Sequence, residues 1–288
     1  MFSIFTTLSA VIVLLLFNSV HLYHSYPTLL IHGILSNEGQ LNELSENLSL
    51  RGHDNYIIEI GNGKWTSLNQ DMNKQCLELA NEIKALEIKE TKINLLGISQ
   101  GGLLARCYVE KYSHDIKTVH SLITWVTPHM GIYNKLVPSF PFLSFSGYLK
   151  DPFNYNYYLD KNTFLSFINN EKFHEEDEKY KENMEILDYF ILAGSPIDQT
   201  IIPYQSSLFE YYSIDEAERN DKLIIQPFND SSQNIFNLIG LRKLLKTYRM
   251  YTFIMECQHN EFKLAICFNK KREKYDNKTL LELINPFL

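Results

Sequence analysis

Ile93-Asn94-Leu95-Leu96-Gly97-Ile98-Ser99-Gln100-Gly101-Gly102-Leu103-Leu104-Ala105-Arg106 is the stretch that decides the fold. A short apolar run enters Gly-X-Ser-X-Gly, and an amphipathic helical pattern leaves it. Strand, tight turn and helix in that order form the context in which the motif makes a nucleophile elbow. The turn strains the backbone at Ser99 and lifts its hydroxyl above the sheet. Side chains at positions 97 and 101 would collide with neighbouring chain, and Gly102 lets the helix start close to the sheet. The helix N-terminus then aims free N–H groups at the reacting centre. Ser99 is therefore expected to be a catalytic nucleophile; the competing reading is a glycine-rich turn whose serine caps a helix.

The same alternation extends in both directions from this segment. Strands are expected at Thr28–Ile31, Tyr56–Ile60, Ile93–Leu96, Leu122–Val126, Phe190–Ala193 and Met250–Ile254. Helical stretches fall near 38–51, 66–86, 101–113 and 233–247. The second carries Leu68, Met72, Cys76, Leu79 and Ile83 at helical spacing. Such alternation predicts an α/β fold of the α/β-hydrolase kind, with a mostly parallel sheet covered by helices on both faces. Residues 130–188 break the rhythm and are rich in Phe and Tyr, from Phe140 to Phe167. They form an aromatic-rich helical insertion, serving as a ligand-binding cover above the strand ends, as a small satellite core, or as both. Within it, His174 to Lys179 reads as a solvated helix face.

A serine hydroxyl needs a base beside it and donors aimed at the oxyanion. Strand 28–31 ends in His32-Gly33-Ile34, so the backbone N–H groups of Ile34 and Gln100 are the expected oxyanion hole. His32 itself is expected to shape this loop. In this fold the acid and then the histidine follow the serine, each on a loop after a core strand. Five of the nine histidines follow Ser99. His114 and His120 lie at the wrong end of the sheet, and His174 sits in the charged run. His129 would leave its acid to come after it. His259 directly follows the last strand and fits. Asp198, in the loop after the fifth strand, is the expected acid, with Asp215 the runner-up.

The chain has 288 residues, 45% hydrophobic and 21% charged, with a formal net charge of −7. Removal of a leader leaves roughly 260 residues, enough for one domain with a sizeable core. The acidic balance argues against nucleic acid as a partner. No metal-ligand spacing and no phosphate-binding Gly-Lys loop occurs, so neither metal nor cofactor is implied. Residues 1–25 read as a signal peptide: the first charged side chain is Glu38, and an apolar run spans Ala10 to Phe17. An uncleaved anchor helix is the alternative. The mature domain is expected over 26–288. Sequons at Asn47, Asn229 and Asn277 agree with export, as does the even count of four cysteines. Cys257 with Cys267 is the preferred disulfide; Cys76 with Cys107 would tie two helices together.

The chain resembles the palmitoyl-protein thioesterase family, and within it the lysosomal type. The resemblance rests on Ile31-His32-Gly33, Gly97-Ile98-Ser99-Gln100-Gly101-Gly102-Leu103 and Thr127-Pro128-His129-Met130-Gly131. Asp151-Pro152-Phe153, Phe164 to Glu171 and Pro196 to Ser207 extend it, and Asn277-Lys278-Thr279-Leu280 closes it. It implies a triad of Ser99, Asp198 and His259 and oxyanion donors at Ile34 and Gln100, the positions already reached from the residues. It implies hydrolysis of fatty-acyl thioesters, from S-acylated peptides or acyl-CoA, in the lysosome or outside the cell. Leu103 and Met130 are expected to line the acyl groove. A triad does not by itself separate a thioesterase from a lipase or carboxylesterase. A non-catalytic acyl-binding protein is the remaining alternative.

Overall fold

A computed structural model describes residues 25–135, 140, 142–268 and 280–288. The expected leader, except for Ser25, and the Asn277 sequon lie outside the described residues. The strands are β1 (Thr28–Ile31), β2 (Asn55–Ile58), β3 (Lys92–Ile98), β4 (Thr118–Trp125), β5 (Tyr189–Gly194), β6 (Tyr211–Tyr212), β7 (Ile225–Gln226) and β8 (Met250–Ile254). Six of them build one parallel sheet in the order β2-β1-β3-β4-β5-β8. The helices are α1 (Asn42–Ser49), α2 (Lys64–Asn69), α3 (Met72–Ala85), α4 (Gln100–Tyr112), α5 (Tyr155–Lys161), α6 (Leu165–Ile168), α7 (Asp177–Glu185), α8 (Ile214–Asn220), α9 (Ser232–Ile235), α10 (Leu241–Lys246) and α11 (Leu280–Ile284). Among the described residues no helix is long and apolar enough to cross a membrane.

The strands are apolar on both faces because both faces are covered. Leu29, Ile31, Ile93, Leu95, Phe190 and Leu192 pack on one side, against α3, α4 and the residues between β4 and β5. The alternate residues Leu30, Leu96, Ile98, Ile123, Trp125 and Ile191 pack on the other. There they meet Leu44 and Leu48 of α1, Phe262, and Leu280, Leu281 and Ile284 of α11. A period of two divides each strand between two buried clusters.

Several boundaries differ from the sequence expectation. The expected helix over 66–86 is two helices, because Asp71 stands in extended backbone and caps α3. Its carboxylate accepts the N–H groups of Asn73 and Lys74 at 2.9 and 3.3 Å. The helical pattern at 233–247 is likewise two short helices, divided where Gly240 takes a φ of +82°. Helix α7 begins only at Asp177, so His174 to Glu176 precede it. The β6–β7 hairpin was not expected at all. Buried Tyr148, Tyr158 and Phe164 of the aromatic segment join the main core rather than a satellite one, while Phe140 and Phe142 are exposed.

Both expected cysteine pairs are disulfides. Cys76–Cys107 joins α3 to α4 with a Cα separation of 6.2 Å. Cys257–Cys267, with Cα atoms 4.8 Å apart, brackets the loop after β8. Asn47 is half-buried on α1, and Asn229 is exposed in a 3₁₀ turn.

Candidate active site

Parallel strands gather the loops at their carboxyl ends on one edge of the sheet. Ser99 follows β3 there with φ 57° and ψ −126° and is only 6% exposed. The close approach of α4 to β3 explains the glycines around it. A Cβ on Gly97 would lie 2.5 Å from the carbonyl oxygen of Gly101, and one on Gly101 would lie 2.5 Å from that of His32. The loop after β1 crowds the same turn: a Cβ on Gly33 would stand 3.0 Å from Ser99 Cβ and 3.1 Å from the Ile98 carbonyl oxygen. The backbone of His32 to Ile34 is thereby laid directly on the elbow. Gln100 is the first residue of α4, where an N–H group has no partner within the helix.

Asp198 lies in the loop after β5 with its side chain fully buried. Its Oδ1 accepts the N–H groups of Thr200 and Ile201, at 2.7 and 3.2 Å. Its Oδ2 accepts Nδ1–H of His259 at 2.7 Å. That bond fixes the tautomer: the proton sits on Nδ1, and Nε2 is free to accept. The two loops are tied again where Ser195 donates its hydroxyl to the Cys257 carbonyl at 2.6 Å.

In the sheet β8 lies three strand spacings from β3, about 14 Å. The turn His259–Leu264 spans this gap. Phe262 meets the Trp125 ring, at the end of β4, at 6.2 Å between centroids. Lys263 donates to Gln40, in the turn beyond β1, at 2.7 Å. The turn thus touches both the end of β4 and the turn that follows β1. Among the described residues no hydrogen bond joins the Ser99 hydroxyl to His259; the bond the imidazole makes is to Asp198. Serine–histidine contacts of this type often tighten only around substrate.

The other candidates are placed elsewhere. Asp215 is on α8, largely exposed and paired with Arg219. His114 is exposed, His120 pairs with Asp188, and His174 pairs with Asp177. His129 is fully buried, accepts or donates at Thr124 through Nε2, and stacks on Phe209. Burial, with Arg106 nearby, holds its pKa well below the ordinary value, so it is a neutral core histidine. His32 is also buried and its pKa lowered by that burial; its Nδ1 lies 3.0 Å from the Gly33 carbonyl oxygen. Leu103 and Met130 belong to the same buried cluster as Tyr148 and Phe164.

One feature carried no signal in the sequence. The Gln100 side chain is 1% exposed and fully engaged. Its Nε2 donates to the Ser67 carbonyl at 2.8 Å and to Gln75 Oε1 at 3.1 Å. Its Oε1 accepts from the Tyr148 hydroxyl at 3.0 Å, and Ser144 Oγ lies at the same distance, its one proton shared between Oε1 and the Ser67 carbonyl at 2.6 Å. These partners lie 25 to 48 residues away, so no local pattern announces them.

A family model described as palmitoyl protein thioesterase matches residues 27–259. Palmitoyl-protein thioesterase 3 of Dictyostelium discoideum is 29% identical over 254 residues, covering 82% of this chain and 85% of its own. Lysosomal thioesterase PPT2-B of Xenopus laevis is 31% identical, covering 69% and 77%. The lysosomal thioesterase PPT2 homolog of Drosophila melanogaster is 29% identical and covers 98% of both. With the family model spanning β1 through His259, the chain belongs to the palmitoyl protein thioesterase family.

Proposed function

We propose that this protein is a serine hydrolase that cleaves long-chain fatty-acyl thioesters, carried by S-acylated cysteine peptides or by coenzyme A. The observation that supports the reading is the conjunction of a strained Ser99 elbow after β3 with an Asp198–His259 pair on loops at the same, carboxyl edge of the sheet. Ser99 Oγ attacks the thioester carbonyl while His259 Nε2 takes its proton. The oxyanion is held by the N–H groups of Ile34 and Gln100. The carbon–sulfur bond then breaks, and His259 returns the proton to the departing thiolate. Water attacks the acyl-serine, again losing a proton to His259; the fatty acid leaves and Ser99 is restored. Asp198 keeps the imidazole in the accepting tautomer and stabilises it when protonated.

We place the acyl chain beside the residues between β4 and β5, where Leu103 and Met130 share a cluster with Tyr148 and Phe164. These side chains are closed on one another, so an entering chain has to part them. The location is lysosomal or extracellular, a reading supported by two disulfides and by the lysosomal relatives. A lipase or carboxylesterase would use the same triad. Palmitoyl-CoA, a p-nitrophenyl palmitate ester and a triacylglycerol, assayed side by side, separate them. The thioester is expected to give the highest kcat/KM; an oxygen ester turned over as well or better would overturn the choice.

A further inference from the structure

Gln100 has two parts with separate tasks. Its backbone N–H stands at the free first position of α4, and its carboxamide is sealed beneath it. A primary amide offers two donors and an acceptor oxygen with two lone pairs. Nε2 is used twice and Oε1 has two hydroxyls within reach. The orientation of the amide follows from its partners: the Ser67 carbonyl can only accept, so it must face Nε2. The Tyr148 hydroxyl donates to the opposite side. Burial pushes the pKa of that phenol up, so it stays a donor at every relevant pH.

The four anchors come from three segments. Ser67 is on α2, Gln75 on α3, and Ser144 and Tyr148 lie in the aromatic segment between β4 and β5. Gln75 is itself fixed, its Nε2 donating to the Gln70 carbonyl at 2.7 Å. The adjacent Cys76 is bonded to Cys107 of α4. All four anchors are buried: Ser67, Gln75, Ser144 and Tyr148 are between 1% and 4% exposed. A chain of polar contacts inside the core is thus aimed at the residue that follows the nucleophile. A buried network of this kind is costly unless satisfied, and satisfied it holds one geometry.

We propose that Tyr148, Ser144 and Gln75 are positioning residues that set the oxyanion hole through the Gln100 side chain. This inference rests on the proposed function. By gripping the carboxamide they fix the Gln100 Cα, and with it the direction in which its N–H points. The same grip couples the aromatic segment, on which the acyl chain is placed, to the carbonyl-binding donors. Oxyanion stabilisation depends on donors held at the position the oxygen reaches in the transition state. A small misplacement of such a donor is felt in kcat rather than in substrate affinity.

The test uses the full chain with Tyr148→Phe, Ser144→Ala and the double variant. Phenylalanine keeps the ring and removes only the hydroxyl. Three quantities are compared: kcat and KM for palmitoyl-CoA, affinity for a palmityl trifluoromethyl ketone, and affinity for S-palmityl-CoA, a thioether without a carbonyl. The ketone forms a tetrahedral adduct with Ser99 and reads the oxyanion hole; the thioether reads acyl binding alone. The double variant is expected to lose roughly tenfold in kcat and in ketone affinity, with thioether affinity and KM unchanged. A variant that loses thioether and ketone affinity in equal measure, or loses neither, overturns the inference while leaving the proposed function standing. A wild-type protein that turns over no thioester and is not acylated overturns the proposed function, and this inference with it. Melting temperature accompanies each variant, and should the double variant fail to fold, Tyr148→Phe alone carries the comparison.

Discussion

Ser99 occupies a left-handed φ that an L-residue adopts at a cost of about 1–3 kcal/mol. The surrounding contacts hold it there: the β1 loop on one side, the Ser99 N–H bonded to the Trp125 carbonyl at 2.9 Å, and α4 beyond. Ser99→Ala is expected to lower kcat on the order of 10⁶-fold and to abolish labelling by a fluorophosphonate. Asp198→Asn is expected to cost about 10⁴-fold while leaving the melting temperature near wild type, and a variant within tenfold of wild type would remove Asp198 from the proposed triad. These positions were legible because each follows a recognisable strand, so chain order and strand ends sufficed to select them. The grip on Gln100 was not legible. It depends on Ser67, Gln75, Ser144 and Tyr148 meeting in space, which no spacing encodes. A buried group in the last turn of α4 predicts a pH effect. Burial pushes the Glu110 carboxyl from 4.5 up to about 8, against the pull of Arg106 3.6 Å away. The unfolded chain loses this proton above 4.5 and the folded protein keeps it until about 8. The contribution to stability is therefore complete below 4.5 and disappears as the pH rises to 8. Buried neutral His32 and His129 act in the opposite sense, below about 6.5, where only the unfolded chain takes up protons. Between pH 6.5 and 8 the melting temperature of the wild type should fall, and Glu110→Gln should flatten that slope; parallel slopes would contradict the assignment.

At the scale of elements, a buried ion pair organises the segment between β4 and β5. Lys150 and Glu171 approach to 2.6 Å with side chains 3% and 2% exposed. The rings of Tyr155, Tyr158 and Tyr211 surround the ammonium at 5.1 to 5.3 Å from their centroids. Tyr158 donates to Glu171 at 2.7 Å, and Tyr211, from β6, donates to the Lys150 carbonyl. Removing one partner leaves an unpaired buried charge. Lys150→Ala is expected to destabilise by about 3–5 kcal/mol, and Lys150→Met with Glu171→Leu should recover most of that in a denaturant titration. A single-variant loss below about 1 kcal/mol would contradict the account. The strands and α4 were legible because apolar runs of buried residues are unambiguous. The breaks in the helical patterns were less so. Asp71 and Gly240 interrupt stretches whose hydrophobic spacing continues across them, and capping at Asp71 overrides the periodicity. The two-residue strands β6 and β7 are too short to leave any alternation to read.

For the molecule as a whole, sheet order is what brings chemistry together. Ser99, Asp198 and His259 follow β3, β5 and β8; β5 and β8 are neighbours, β3 lies two strands from β5, and all three residues stand on loops at the carboxyl ends. The Cys257–Cys267 bond restrains the last of these loops, and Cys76–Cys107 holds α3 against the elbow helix. Family membership and the placement of these loops make one covalent intermediate the centre of the account. The most direct test is mass spectrometry of the wild-type protein, mixed with palmitoyl-CoA and quenched in acid within a turnover. The account predicts one palmitoyl group on the peptide that contains Ser99, absent from Ser99→Ala. Palmitate carried by another residue, or turnover with no acyl-protein at any time point, would contradict it.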